Sequence, residues 1–170
     1  MGPAQRLVTG AVIVSLGTAG FIAGRVSLRP RAAVEQPIAF NHRVHVESLE
    51  CETCHEFVRT SAHSGLPGLS VCLMCHEEAV TEAAKDEKVR ELAAAGEEQV
   101  FRKLFQLADN VFYTHRRHAG MAGIECATCH GEIDQTEVPP PVPLIRITMD
   151  FCLECHEKQG VSDDCTRCHR

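Results

Sequence analysis

The residues of this chain best suited to chemistry are its ten cysteines, and they are not scattered. They form the pairs Cys51/Cys54, Cys72/Cys75, Cys126/Cys129, Cys152/Cys155 and Cys165/Cys168, each followed at once by a histidine: His55, His76, His130, His156 and His169. Two thiols three positions apart lie on one face of a helical turn. There both reach the vinyl groups along one edge of a porphyrin, and the next residue swings an imidazole toward the iron. C-x-x-C-H is the attachment pattern of c-type haem. A single copy also suits a zinc half-site, but zinc chemistry gives no reason for a histidine after every pair. Five copies that use every cysteine point to five covalently bound haem c groups.

Ten histidines are present, twice the number of motifs. Five are proximal by position. The other five are His42, His45, His63, His115 and His118, enough to cap the far side of every iron. Four of them fall in matched H-x-x-H pairs, His42/His45 and His115/His118, and are read as distal axial ligands. His63 sits alone in a Ser/Gly loop. Its rival for the fifth position is Met149, three residues before Cys152, whose thioether would raise the potential of its haem relative to a bis-histidine site. Met149 is equally readable as packing against a porphyrin face. Met121, in a Gly-rich loop, is a weaker candidate. Iron held by two protein ligands has no open position for substrate or oxygen. The chain is therefore read as an electron carrier with no catalytic residues.

These residues need a frame, and the sequence repeats one. Phe40-Asn41-His42-Arg43-Val44-His45 precedes the first two motifs, and Tyr113-Thr114-His115-Arg116-Arg117-His118 precedes the third and fourth. Each copy reads aromatic-x-His-x-x-His and then two attachment sites, an internal repeat. Repeat 1 spans 38–76, repeat 2 spans 111–156, and a fifth site at 165–169 stands outside both. Between the repeats, residues 77–107 are rich in Ala, Glu, Lys and Leu without proline and read as a helical spacer, with Gly96 as the point of breakage. Val100, Leu104 and Leu107 recur at helical steps and predict an inward face there. Val138-Pro139-Pro140-Pro141-Val142-Pro143 must be extended. No strand pattern persists, so the expected fold is mostly α and irregular.

Leu7 to Gly24 carries no charge, the short edge of what a membrane span needs. Residues 1–29 are read as an uncleaved N-terminal signal anchor forming a transmembrane helix. Residues 30–37 are a linker and 38–170 a pentahaem domain. Arg25, Arg29 and Arg31 outnumber Arg6, which by charge alone would favour a cytoplasmic body. Haem attachment on the outer face in bacteria overrides that bias and predicts a periplasmic domain on the inner membrane. Beyond residue 31 the chain holds 13 Lys and Arg against 23 Asp and Glu, a formal charge of −10. This argues against a nucleic-acid partner. Without Trp, and with one Tyr and seven Phe in 170 residues, side chains alone make a thin core. Haems would supply the missing apolar surface, and the haem-free chain is expected to be largely unfolded.

The Phe40–His45 segment followed by C-x-x-C-H resembles the haem modules of class III cytochromes c and cytochrome c7. That resemblance implies that the first histidine of each pair ligates the nearby haem and the second ligates another. Gln36-Pro37-Ile38-Ala39-Phe40-Asn41-His42, Cys72-Leu73-Met74-Cys75-His76, Cys126-Ala127-Thr128-Cys129-His130-Gly131 and Met149-Asp150-Phe151-Cys152-Leu153-Glu154-Cys155-His156 are similar to the pentahaem subunit of alternative complex III and of related quinone-reductase complexes. The resemblance covers nearly the whole chain. It implies a periplasmic haem body on one transmembrane helix, working beside an iron–sulfur/molybdopterin-like subunit and a polytopic quinone-binding subunit. Such a subunit relays electrons between quinol and a periplasmic acceptor such as a cytochrome c. It also implies one His/Met haem among bis-histidine ones, which favours Met149 over His63. A free-standing, membrane-anchored electron shuttle is the alternative.

Overall fold

The computed structural model describes residues 33–82 and 84–169. The proposed anchor, residues 1–29, and the start of the linker lie outside the described residues. Among the described residues no helix is long and apolar enough to cross a membrane. They contain short helices joined by irregular chain: α1 (His42–His45), α2 (Cys51–Cys54), α3 (Leu69–His76), α4 (Ala84–Ala95), α5 (Ala127–His130), α6 (Met149–Gln159) and α7 (Cys165–Cys168). A π-helical turn covers Arg116–Met121 and a 3₁₀ turn Ile133–Gln135. The only strand-like pairing among the described residues is a single antiparallel bridge, Val111 to His169. Every C-x-x-C-H motif thus falls on or beside a helical turn, the geometry that puts two thiols on one side.

The spacer departs from its expected shape. It is helical only over α4, because Gly96 takes φ +66° and closes the helix. Its N–H bonds Ala93 O at 3.1 Å and that of Glu97 bonds Leu92 O at 3.0 Å, the paired terminal bonds of a left-handed cap. Residues 97–107 then run as irregular chain. With the helical period lost, Val100 stands 73% exposed, while Gln99 is buried and Phe101 turns inward. The apolar cluster is small: Ile38, Leu69 and Val89, flanked by Cys72, Leu73, Leu92, Ala93 and Phe101. It packs α4 on α3.

Two contacts tie the repeats together. Along the first, His115 N bonds Ala62 O at 3.1 Å, Arg116 N bonds Ser61 O at 2.9 Å, and Arg59 Nη1 donates to Ala119 O at 3.0 Å. Here Gly120 lies so close to Arg59 that a Cβ would come within 2.1 Å of the Arg59 carbonyl oxygen. At the second, α1 docks on the 3₁₀ turn. Arg43 N bonds Thr136 O at 3.2 Å, and the Arg43 guanidinium reaches Glu137 at 2.7 Å. The proline stretch is held by Val34 N on Pro141 O at 2.8 Å, and the fifth motif by Phe112 N on Cys168 O at 2.7 Å.

Candidate haem-binding site

In each repeat one aromatic ring sets both histidines of the H-x-x-H pair. Phe40 meets His42 edge-on at 4.8 Å (86°) and stacks on His45 at 4.4 Å (28°). Tyr113 meets His115 at 5.0 Å (85°) and stacks on His118 at 4.5 Å (28°). Burial first, then the thiols of Cys129, Cys152 and Cys126, push the Tyr113 phenol up to about 12. That ring therefore stays neutral. Asn41 caps α1 by accepting from Val44 N at 3.3 Å. The two copies share one geometry, as their shared pattern requires.

The second ring nitrogen of most histidines is already committed. Nδ1–H donates to a backbone carbonyl in His45 (Asn41 O, 2.7 Å), His55 (Gly65 O, 2.9 Å) and His115 (Ala62 O, 3.0 Å). The same holds for His118 (Thr114 O, 2.9 Å) and His156 (Ser162 O, 3.0 Å). His42 Nδ1–H donates to Thr136 Oγ1 at 3.1 Å, whose own proton goes to Ile133 O at 2.7 Å. A carbonyl accepts and cannot donate, so it fixes the proton on Nδ1 and leaves the Nε2 lone pair for a metal. His76 differs: its Nδ1–H donates to the carboxylate of Asp86. His130 is set by the edge of Phe105 at 4.5 Å. Burial foremost, then His115 and His55, lowers its pKa to about 4. His42 and His115 are also lowered, chiefly by burial. Neutral imidazole is the form that ligates a metal.

Three distal candidates each face one proximal histidine. Ring centres lie 6.0 Å apart for His45 and His76, 6.3 Å for His115 and His130, and 6.3 Å for His118 and His156. Two imidazoles bound on opposite sides of one metal, each by a bond of about 2 Å, hold their centres roughly 6.3 Å apart. The residues present therefore fit axial pairs. His42 lies near enough to His55 for that neighbour, after burial, to lower its pKa. His169 has the Asn110 amide at 3.3 Å from Nδ1 and no facing imidazole among the described residues. His63 is exposed, in the loop that meets His115. Met149 is exposed at the start of α6, one turn before Cys152. Met121 is likewise exposed.

The thiols lie beside one another in a definite order. Burial and then the neighbouring Cys126 raise Cys51; burial and then Cys75 raise Cys54. Burial and then Cys155 raise Cys129, and burial and then Cys168 raise Cys152. Neighbouring thiols thus link the second motif to the first, the first to the third, the third to the fourth and the fourth to the fifth. None of the ten is joined to another in a disulfide.

Sequence reasoning missed Asp86, Thr136 and Phe105. Asp86 is buried and accepts from Val80 N at 3.1 Å, Thr81 N at 2.9 Å and Arg90 Nη1 at 3.1 Å, all on Oδ2. The Thr81 N–H foremost, with Arg90 and His76, holds its carboxyl well below the usual range against the opposing effect of burial. Nothing in the local pattern around residue 86 marks it.

Residues 111–170 match the family model described as cytochrome c7 and related cytochrome c. With the paired imidazoles, this match supports a multihaem cytochrome c with an electron-transfer role. Among curated proteins, the chain is 28% identical over 163 residues to the menaquinone reductase, multiheme cytochrome c subunit of Nitratidesulfovibrio vulgaris. The alignment covers 80% of this chain and 77% of that protein.

Proposed function

We propose that this chain is the electron-transfer subunit of a membrane quinol-linked complex. It would carry five covalent c-type haems on the periplasmic side of the inner membrane, anchored by residues 1–29. The observation that carries the reading is the set of facing histidines, three pairs at 6.0–6.3 Å on a chain with five C-x-x-C-H motifs. The menaquinone reductase subunit it resembles supports the link to a quinone. The partners would be an iron–sulfur/molybdopterin-like subunit, a polytopic quinone-binding subunit and a periplasmic acceptor.

When bound, c-type haem supplies a one-electron redox centre. The protein's own residues govern the rest. Cys51, Cys54, Cys72, Cys75, Cys126, Cys129, Cys152, Cys155, Cys165 and Cys168 would form the thioethers. His55, His76, His130, His156 and His169 would be proximal ligands. Opposite them would stand His42, His45, His115 and His118, with Met149 rather than His63 completing the fifth site. Met149 is supported by the alternative complex III resemblance and by the position of α6, whose Cys152 neighbours Cys168. Carbonyls and hydroxyls on Nδ1 keep the ligating nitrogens free and aimed, and two strong ligands per site exclude substrate.

Haemochrome assay with intact mass tests the count: five haems are expected, and a mass equal to the bare chain would end the reading. Purification in mild detergent tests the assembly. Co-purifying integral-membrane and iron–sulfur subunits are expected, whereas a lone pentahaem chain would favour the anchored shuttle. Carbon monoxide binding to the reduced protein at a full haem equivalent would instead reveal an open, enzyme-like site.

A further inference from the structure

Asp86 separates one haem site from all the others. Among the described residues, His45, His55, His115, His118 and His156 donate Nδ1–H to neutral carbonyls, and His42 donates to a hydroxyl. His76 alone donates to a carboxylate. That carboxylate is organised for the task. Its Oδ2 takes the Val80 and Thr81 amides and the Arg90 guanidinium, which leaves Oδ1 to the imidazole. α4 places Asp86 in its first turn and packs on α3, the helix that ends at His76. A full charge on Nδ1–H draws the proton outward and pushes electron density toward Nε2, an effect strengthened by burial.

We infer that Asp86 is a positioning residue that makes the haem held by His76 and His45 the lowest-potential centre of the chain. The proposal rests on reading His76 as an axial ligand. A more electron-rich imidazole stabilises ferric over ferrous iron. The couple itself is one electron taken up by iron, with no bond made or broken and the Nδ1 proton kept between His76 and Asp86. Arg90 acts in opposition, drawing charge onto Oδ2 and away from the imidazole.

The test is a potentiometric titration of the haem-loaded full chain in detergent, followed by visible and electron paramagnetic resonance spectra. Asp86→Asn should raise the lowest potential by at least a tenfold change in reduced-to-oxidised ratio, 59 mV for one electron. One low-spin signal should change its g-values while the others hold. Arg90→Gln should move the same component the opposite way. Damage to packing would not give opposite signs in two variants of one ion pair, so Arg90→Gln keeps the test alive if Asp86→Asn folds poorly. Glu77→Gln removes an equal charge from an exposed position next to His76 and should shift the component less than threefold. An equal shift there would overturn the proposal in favour of bulk charge. Unchanged potentials in Asp86→Asn would also overturn it. Haem count and spin state, measured on every variant first, separate that failure from failure of the functional reading, which would appear as missing haem.

Discussion

The contact between Arg59 and Gly120 offers a direct test of how the two repeats are joined. In Gly120→Ala the new methyl would stand 2.1 Å from the Arg59 carbonyl oxygen and 2.9 Å from its carbon. Carbon–oxygen contacts settle near about 3.3 Å, so the two backbones must part by roughly 1.2 Å. The obstacle is main chain on both sides, and no side-chain rotamer relieves it. Overpacking of this kind costs about 1–3 kcal/mol. For a unit of this size that lowers the melting midpoint by about 3–12 °C. The disturbance is local as well as global, because Ser61 and Ala62 on the same strand of chain hold the Arg116 and His115 amides. Ala62 O also takes the His115 Nδ1–H. Loss of His115 orientation should show as one haem equivalent turning partly high-spin. Circular dichroism melting and magnetic circular dichroism of the haem-loaded protein read both effects. A variant that melts within 1 °C of the parent, with every haem low-spin, would show that this contact does not organise the site.

Three further outcomes are expected. His45→Ala and His118→Ala should each turn one haem high-spin with all haems still attached by mass, whereas Cys54→Ala should lose attachment at one site; an unchanged low-spin spectrum in either histidine variant would break the pairing. Met149→His should lower one reduction potential while His63→Ala leaves the spectra alone, and the reverse pattern would assign the fifth position to His63. Acid should act late at His130. A folded pKa lowered to about 4 from 6.5 means its contribution is complete above pH 6.5 and declines as pH falls toward 4, since the unfolded chain takes up the proton first. The low-spin signal of that site should thus survive titration from pH 7 to 5, and its loss near pH 6 would show the histidine to be solvated.

What the sequence could reveal here follows from where each instruction is written. The motifs and the aromatic-x-His-x-x-His pattern are local: an aromatic two residues before one histidine and five before the next meets both within a single turn, and the two copies reproduce the same ring geometry. Even the small mismatch between the repeats has a local cause. His42 precedes Cys51 by nine residues and His115 precedes Cys126 by eleven. The second repeat widens its turn into the π-helical Arg116–Met121, with Ala122 N reaching back to Arg117 O at 3.0 Å. That turn also presents Gly120 to Arg59, so the inserted residues form part of the junction between the repeats. The spacer is where pattern reading failed in part. The break at Gly96 was legible, but the helical face expected beyond it over Val100, Leu104 and Leu107 did not form, and Asp86 took its role from tertiary packing, since an acidic residue in a first helical turn looks like any other. The partner of Nδ1 lies within ten positions for His45, His55, His76, His118 and His156, but far along the chain for His42, His115 and His169. There it depends on which group the fold brings alongside, as with Ala62 and His115, fifty-three positions apart. The candidate ligands are marked by local spelling, but the differences among their Nδ1 partners come from how neighbouring elements pack, as α4 sets Asp86 against His76. The candidate ligand most unlike the others is accordingly His76, whose carboxylate partner comes from the stretch that seemed to do least.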